Sequence, residues 1–162
     1  MTFNPLLSRR GFVAALGAAC VIAPARPLFA ADTAITVTKD PNCACCEGWA
    51  DHLKANGFAV TIVEDAQINR VKARLGVPAD LHSCHTAEVE GYVIEGHVPA
   101  GAIRRLLAQR PNAKGLSAPG MPVGSPGMEV PGSPPEVYAV MIFGPEGSKP
   151  FARYKGADEV PA

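Results

Sequence analysis

Apolar and polar positions change period several times along this chain, and each change predicts an element. Ala34-Ile35-Thr36-Val37-Thr38 is β-branched and runs into Lys39-Asp40-Pro41-Asn42, the pattern of a strand followed by a turn. From Cys45 to Asn56, Trp49, Ala50 and Leu53 recur at helical spacing, and Gly57 stops the helix. Phe58 to Val63 is a second short strand. Residues 66–75 put Ile68, Val71 and Leu75 on one helical face. Residues 77–82 read as loop, 87–94 as a strand and Glu95-Gly96 as a turn. Pro99 suits the first position of a helix that Ile103, Leu106 and Leu107 continue. Residues 111–135 are rich in Gly and Pro and show no period. Val137 to Phe143 is a strong strand, and Phe151 to Tyr154 is another, joined to it through a turn at Gly147.

The predicted order is β-α-β-α-β-α-loop-β-β. Early alternation and a late hairpin suit a small three-layer α/β domain. A cysteine motif at the start of the first helix, directly after the first strand, points to a thioredoxin-like arrangement. The long Gly/Pro/Met loop precedes the C-terminal hairpin. A structureless loop of about 25 residues is unusual in a small domain and is often functional.

The first 31 residues have a different character. Ser8-Arg9-Arg10-Gly11-Phe12-Val13 is a basic start, followed by a mild apolar run to Ala23, too short to span a bilayer. Small residues follow at Ala30 and Ala31. Residues 1–31 therefore read as a removable signal peptide of the twin-arginine type, and residues 32–162 as one exported domain with no stable membrane insertion after cleavage. A lipoprotein signal at Cys20 is disfavoured, because Gly17 stands where Leu is expected. The full chain of 162 residues has a formal net charge of zero. Cleavage removes Arg9, Arg10 and Arg26 and no acidic residue, leaving a net of −3. Neither value makes an electrostatic case for binding nucleic acid.

Export to an oxidising compartment makes disulfides the first explanation for the four remaining cysteines. Pro41-Asn42-Cys43-Ala44-Cys45-Cys46 contains a C-x-x-C pair with a third cysteine inside it. At a helix start, unpartnered backbone N–H groups favour thiolate over thiol. Thiolates serve as nucleophiles and as soft-metal ligands alike. Adjacent Cys45 and Cys46 cannot readily bond each other. A C-x-x-C bridge with a second bridge to Cys84 is the purely structural arrangement of these cysteines.

His82-Ser83-Cys84-His85-Thr86 supplies the fourth cysteine in a polar setting. In a thioredoxin-like fold this segment lies beside the C-x-x-C helix start, so Cys84 and His85 become candidate ligands with Cys43, Cys45 and Cys46. Met121 and Met128 lie in the Gly/Pro loop with little apolar company, and thioethers are soft donors. Pinning the loop to the core is their other role. His97 sits at a strand-to-helix corner, and His52 on the first helix reads as solvated. Thiolates with thioethers suit copper(I) better than calcium or magnesium. Zinc is the second choice, since C-x-C-C lacks the two spaced pairs of a structural zinc site.

These residues resemble the CopG-like copper-resistance family, long catalogued as a domain of unknown function. The similar stretches are Cys43-Ala44-Cys45-Cys46 with Trp49, Ser83 to Thr86, Gly91 to Pro99, and Gly115-Leu116 through Gly120-Met121-Pro122 to Glu129. The resemblance implies a thioredoxin-like fold, a periplasmic home and a cysteine-bridged copper site with a copper-handling role, open to redox chemistry. Three close cysteines with Cys84 favour bridging of more than one copper ion. Expected partners are copper ions and other periplasmic copper-handling proteins. The alternative is a thiol–disulfide oxidoreductase using Cys43 and Cys46. A disulfide enzyme needs two thiols, and Cys45 beside them would invite misbridging. Whether the protein is an enzyme is left open. No phosphate loop, carboxylate pair or Ser-His-Asp arrangement supports a nucleotide or hydrolase role.

Overall fold

Period-2 burial in the first strand sets the architecture. In β1 (Thr33–Lys39) Ile35 and Val37 are buried while their neighbours are more open. The structure, a computed structural model, describes Met1 and residues 32–161. The signal segment expected over 1–31 therefore lies outside the described residues, apart from Met1. One compact unit runs from Ala31 to Ala162.

The remaining elements are α1 (Cys45–Ala55), β2 (Phe58–Glu64), α2 (Ile68–Leu75), β3 (His85–Val89), β4 (Tyr92–Glu95), α3 (Ala100–Gln109), β5 (Gly115–Ser117), β6 (Val137–Gly144), β7 (Gly147–Lys155) and β8 (Asp158–Val160). A single 3-10 turn at Ala79–Leu81 follows α2. The strands form one sheet of eight in the order β2-β1-β3-β4-β5-β6-β7-β8. β1 is parallel to β2 and antiparallel to β3. β3 is antiparallel to β4, and β4 is parallel to β5. The rest of the sheet is antiparallel.

Register explains how the two faces differ. Val37, Ala87, Ile94, Leu116 and Ile142 are successive partners across five strands. This apolar row packs with Trp49 and Leu53 of α1 and with Ile103 and Leu106 of α3 in the main core. The next row over is Thr38, Thr86, Glu95, Ser117 and Met141, which faces the other way because strand side chains alternate. On that side Val77, Leu81, Val93 and Phe143 form a smaller core beside the C-terminal end of α2. Helices thus cover both faces.

Three departures from the sequence reading have local causes. Residues 87–94 are not one strand but the β3–β4 hairpin, turning at Glu90 (φ 44°) and Gly91 (φ 87°). The Gly/Pro-rich stretch contains β5, where Gly115 approaches Val93 so closely that a Cβ would lie 1.8 Å from its carbonyl oxygen. A third C-terminal strand, β8, extends the hairpin. No described helix is long and apolar enough to cross a membrane.

Candidate metal centre

The site begins where β1 ends. Lys39 is almost fully buried; its Nζ donates to the Pro41 carbonyl at 3.4 Å and pairs with Glu47 and Glu64 at 3.6 and 3.3 Å. Asp40 closes the turn, accepting from the Asn42 N–H through its side chain and from the Cys43 N–H through its carbonyl. This turn feeds Cys43 to the start of α1. Trp49, fully buried one turn further on, anchors the helix by donating its indole N–H to the Val98 carbonyl at 2.9 Å.

Cys43 and Cys46 form a disulfide, and Cys45 and Cys84 are free thiols. Cys45 Sγ is 3.6 Å from Cys43 Sγ and 3.9 Å from Cys84 Sγ, while Cys46 Sγ is 3.7 Å from Cys84 Sγ. All four sulfurs lie within 4.8 Å of one another. The first turn of α1 therefore does present Cys45 towards its neighbours. The two free thiols are the ones that a fully paired scheme would have joined.

Cys84 also opens onto two histidines. Its Sγ is 3.3 Å from His85 Nδ1 and 3.1 Å from His97 Nε2. Cys84, His85 and His97 form a second group whose donor atoms lie within 4.8 Å of one another, so Cys84 is common to both. His85 packs tilted against Trp49, with ring centroids 4.4 Å apart, and meets His97 edge-on at 4.9 Å. His97 Nδ1 donates to the Pro126 carbonyl at 2.8 Å. That bond fixes the tautomer and leaves the Nε2 lone pair facing Cys84. His85 Nε2 is buried without a hydrogen-bond partner.

Burial sets the charge states. Desolvation, with His97 and the Lys72 ammonium nearby, holds His85 well below the usual histidine range. Desolvation also lowers His97, against the opposing pull of Glu129. Both rings are therefore neutral at pH 7, the form that binds metal. Burial, reinforced by the neighbouring Cys45, pushes the Cys84 thiol up to about 12. Hydrogen bonds from the Ser83 hydroxyl and from the backbone at Cys84 pull the other way and do not outweigh desolvation.

The loop carrying the two methionines is fastened to both sides of the site. Gly120 donates its N–H to the His82 carbonyl at 3.2 Å, and the Ser83 hydroxyl donates to the Gly120 carbonyl. At the other end Gly127 rests on the backbone of α1: a Cβ there would lie 2.5 Å from Trp49 N and 2.9 Å from the Cys45 carbonyl oxygen. Met121 is 55% exposed, and Met128 is half-buried with backbone bonds to Gly124 and Ser125.

Two solved structures are similar to this chain. The chain is similar to a structure titled "Copper resistance protein copG- Form 2", with 46% identity and a TM-score of 0.71, covering 75% of this chain and 98% of that one. The chain belongs to the CopG copper-resistance family. A second structure, titled Form 1 of the same protein, shares 45% identity at a TM-score of 0.71, covering 77% and 99% of the two chains. Residues 81–128, which hold Cys84, both buried histidines and both loop methionines, match the family model described as "Protein of unknown function, DUF411". Among curated protein sequences, none matches this chain.

Within this CopG-family chain, the expected cysteines and His85 converge. His97 was legible in the sequence only as a corner residue; its partner Pro126 is 29 residues away, and no local signal joins them. His52 is not simply solvated. It is half-buried, and its Nε2 accepts the Ala100 N–H at 3.1 Å at the start of α3.

Proposed function

We propose that this protein is a periplasmic copper(I)-binding protein that serves copper handling or resistance. In this reading residues 1–31 are a twin-arginine signal and residues 32–162 one thioredoxin-like domain. The order β2-β1-β3-β4, with β3 reversed and the cysteine motif at the first helix, supports that fold assignment. The observation that carries the function is the junction at Cys84, where four sulfurs meet two buried imidazoles. Sulfur and imidazole donors match soft copper(I), and the absence of a second spaced cysteine pair keeps zinc as the second choice.

Cys43, Cys45, Cys46 and Cys84 would hold copper with His85 and His97, and Met121 and Met128 would complete or cover the site. Sulfurs this close can be shared, which favours more than one ion per chain. Full use of the four sulfurs requires two-electron reduction of the Cys43–Cys46 bond, which ties redox state to copper capacity. Binding at Cys84 also displaces a proton, since its thiol is protonated at neutral pH. Other periplasmic copper-handling proteins are the expected exchange partners.

A second reading rests on the disulfide itself. A C-x-x-C bond at a helix start suits a thiol–disulfide oxidoreductase in which one reduced thiolate attacks a substrate disulfide and the other resolves the mixed disulfide. The two readings part at Cys45 and Cys84. The test is anaerobic copper(I) titration of the reduced mature protein, followed by intact-mass spectrometry, with insulin reduction measured alongside. More than one copper per chain is expected, with lower stoichiometry in Cys45→Ser and Cys84→Ser. Full copper loading in both variants, with parental reductase activity that survives them, would replace the first reading by the second.

A further inference from the structure

Lys72 and Glu95 form an ion pair at 2.6 Å with side chains only 1% and 0% exposed. Burying two charges is costly, and such a pair is often no more stabilising than apolar residues of similar volume. Its connections show what else it does. Glu95 Oε1 accepts the Ser83 backbone N–H at 2.6 Å, and Oε2 accepts the Thr86 hydroxyl. Lys72 donates a second bond to Thr86 Oγ1 at 2.9 Å. Ser83 and Thr86 bracket Cys84 and His85. A single carboxylate thus grips both ends of the tetrapeptide that carries two of the candidate ligands.

The backbone around it repeats the grip. Gly96 donates its N–H to the His85 carbonyl at 3.0 Å, and a Cβ on Gly96 would lie 2.5 Å from the Ser83 side chain. Glu95 immediately precedes Gly96-His97. The same strand end therefore holds the Cys84 segment and delivers His97 to it. Thr86 and Glu95 lie on the polar row facing α2, whereas His85 meets Trp49 of α1. The pair acts from the opposite side of the sheet and does not touch the sulfurs.

We infer that Lys72 and Glu95 are positioning residues for the metal centre: the Glu95 carboxylate, held by Lys72, fixes Ser83 to Thr86 so that Cys84 and His85 face the cysteines of α1. The inference rests on the copper reading only for its metal readout. What matters is a hydrogen-bond acceptor for the Ser83 N–H, and the Lys72 ammonium is the means of burying a charged one.

Two double variants separate position from stability. Lys72→Met with Glu95→Gln removes both charges but keeps an acceptor for Ser83; Lys72→Met with Glu95→Leu removes the acceptor. In the oxidised protein, iodoacetamide modification of Cys84 is measured against that of Cys45 by peptide mass mapping. The Leu variant should raise the Cys84 rate about tenfold, the scale of a lost bond to a charged group, while the Gln variant stays within about twofold of the parent. Copper(I) affinity of the reduced protein should fall in the same order. Parental Cys84 rates in both folded variants would overturn the inference. Failure of the parent to take up copper would sink the copper reading and leave the alkylation result standing. Should neither variant fold, exchange of the Ser83 amide in the parent decides: slow exchange supports the grip, and exchange as fast as an exposed loop amide overturns it.

Discussion

Gly127→Ala tests whether the methionine loop is seated on α1 by backbone contact. Two costs act at this position. Gly127 has φ +82°, where an L side chain costs about 1 kcal/mol. The added Cβ also meets Trp49 N at 2.5 Å, the Cys45 carbonyl oxygen at 2.9 Å and Gly48 C at 2.9 Å. These are backbone atoms of one helical turn, so no side chain can swing aside, and overpacking of this kind costs about 2 kcal/mol more. At about 4 °C per kcal/mol for a domain of this size, the thermal midpoint should fall by about 12 °C. Gly132→Ala is the matched control, because Gly132 has φ +81° with nothing within 4 Å of the added atom. It should lose about 4 °C, from the backbone term alone. The assay is thermal unfolding by circular dichroism of both variants beside the parent. Lifting the loop would also pull Pro126 from His97, so Gly127→Ala should weaken copper retention and the control should not. Equal midpoints in the two variants would refute the close approach.

Three further outcomes are expected. His52, His85 and His97 are each held below the ordinary histidine value mainly by burial, so the unfolded chain takes up protons first as pH falls. Their contribution is complete above the unfolded value of about 6.5 and is lost as pH drops through the lower folded values; a thermal midpoint unchanged between pH 7.5 and 5.5 would contradict this. Replacing Arg9 and Arg10 with Lys should leave unprocessed precursor inside the cell, as read by immunoblot of cell fractions, and undiminished export would remove the twin-arginine assignment. Joint replacement of Met121 and Met128 by Leu should weaken copper retention with folding intact, because Leu conserves volume, and unchanged affinity and stoichiometry would return both residues to packing.

Period alone made most elements legible. Trp49, Ala50 and Leu53 marked α1, and Ile35 and Val37 marked the buried face of β1. The β3–β4 hairpin was hidden because its turn is Glu90-Gly91, and a glutamate at positive φ is not the Asn-Gly or Asp-Gly signal that announces such turns. β5 was hidden because a three-residue strand holding an obligatory glycine carries no period of its own. At the site, cysteine clustering was local and readable, and the polar segment around Cys84 marked the second approach. Lys72 was not readable: within its helix it looks like any solvated lysine, and the carboxylate that buries it stands 23 residues later. His52 was missed for the same reason, since its partner amide belongs to a helix that starts 48 residues on.

Trp49 is the only tryptophan in the chain, and its ring lies against the buried imidazole of His85. Indole emission from this protein therefore has a single source, 4.4 Å from one of the candidate ligands. Excited at wavelengths that spare tyrosine, the native unlabelled chain reports on that one spot. A metal arriving at His85 changes the signal directly, whereas one bound elsewhere on the surface has no second indole through which to be seen.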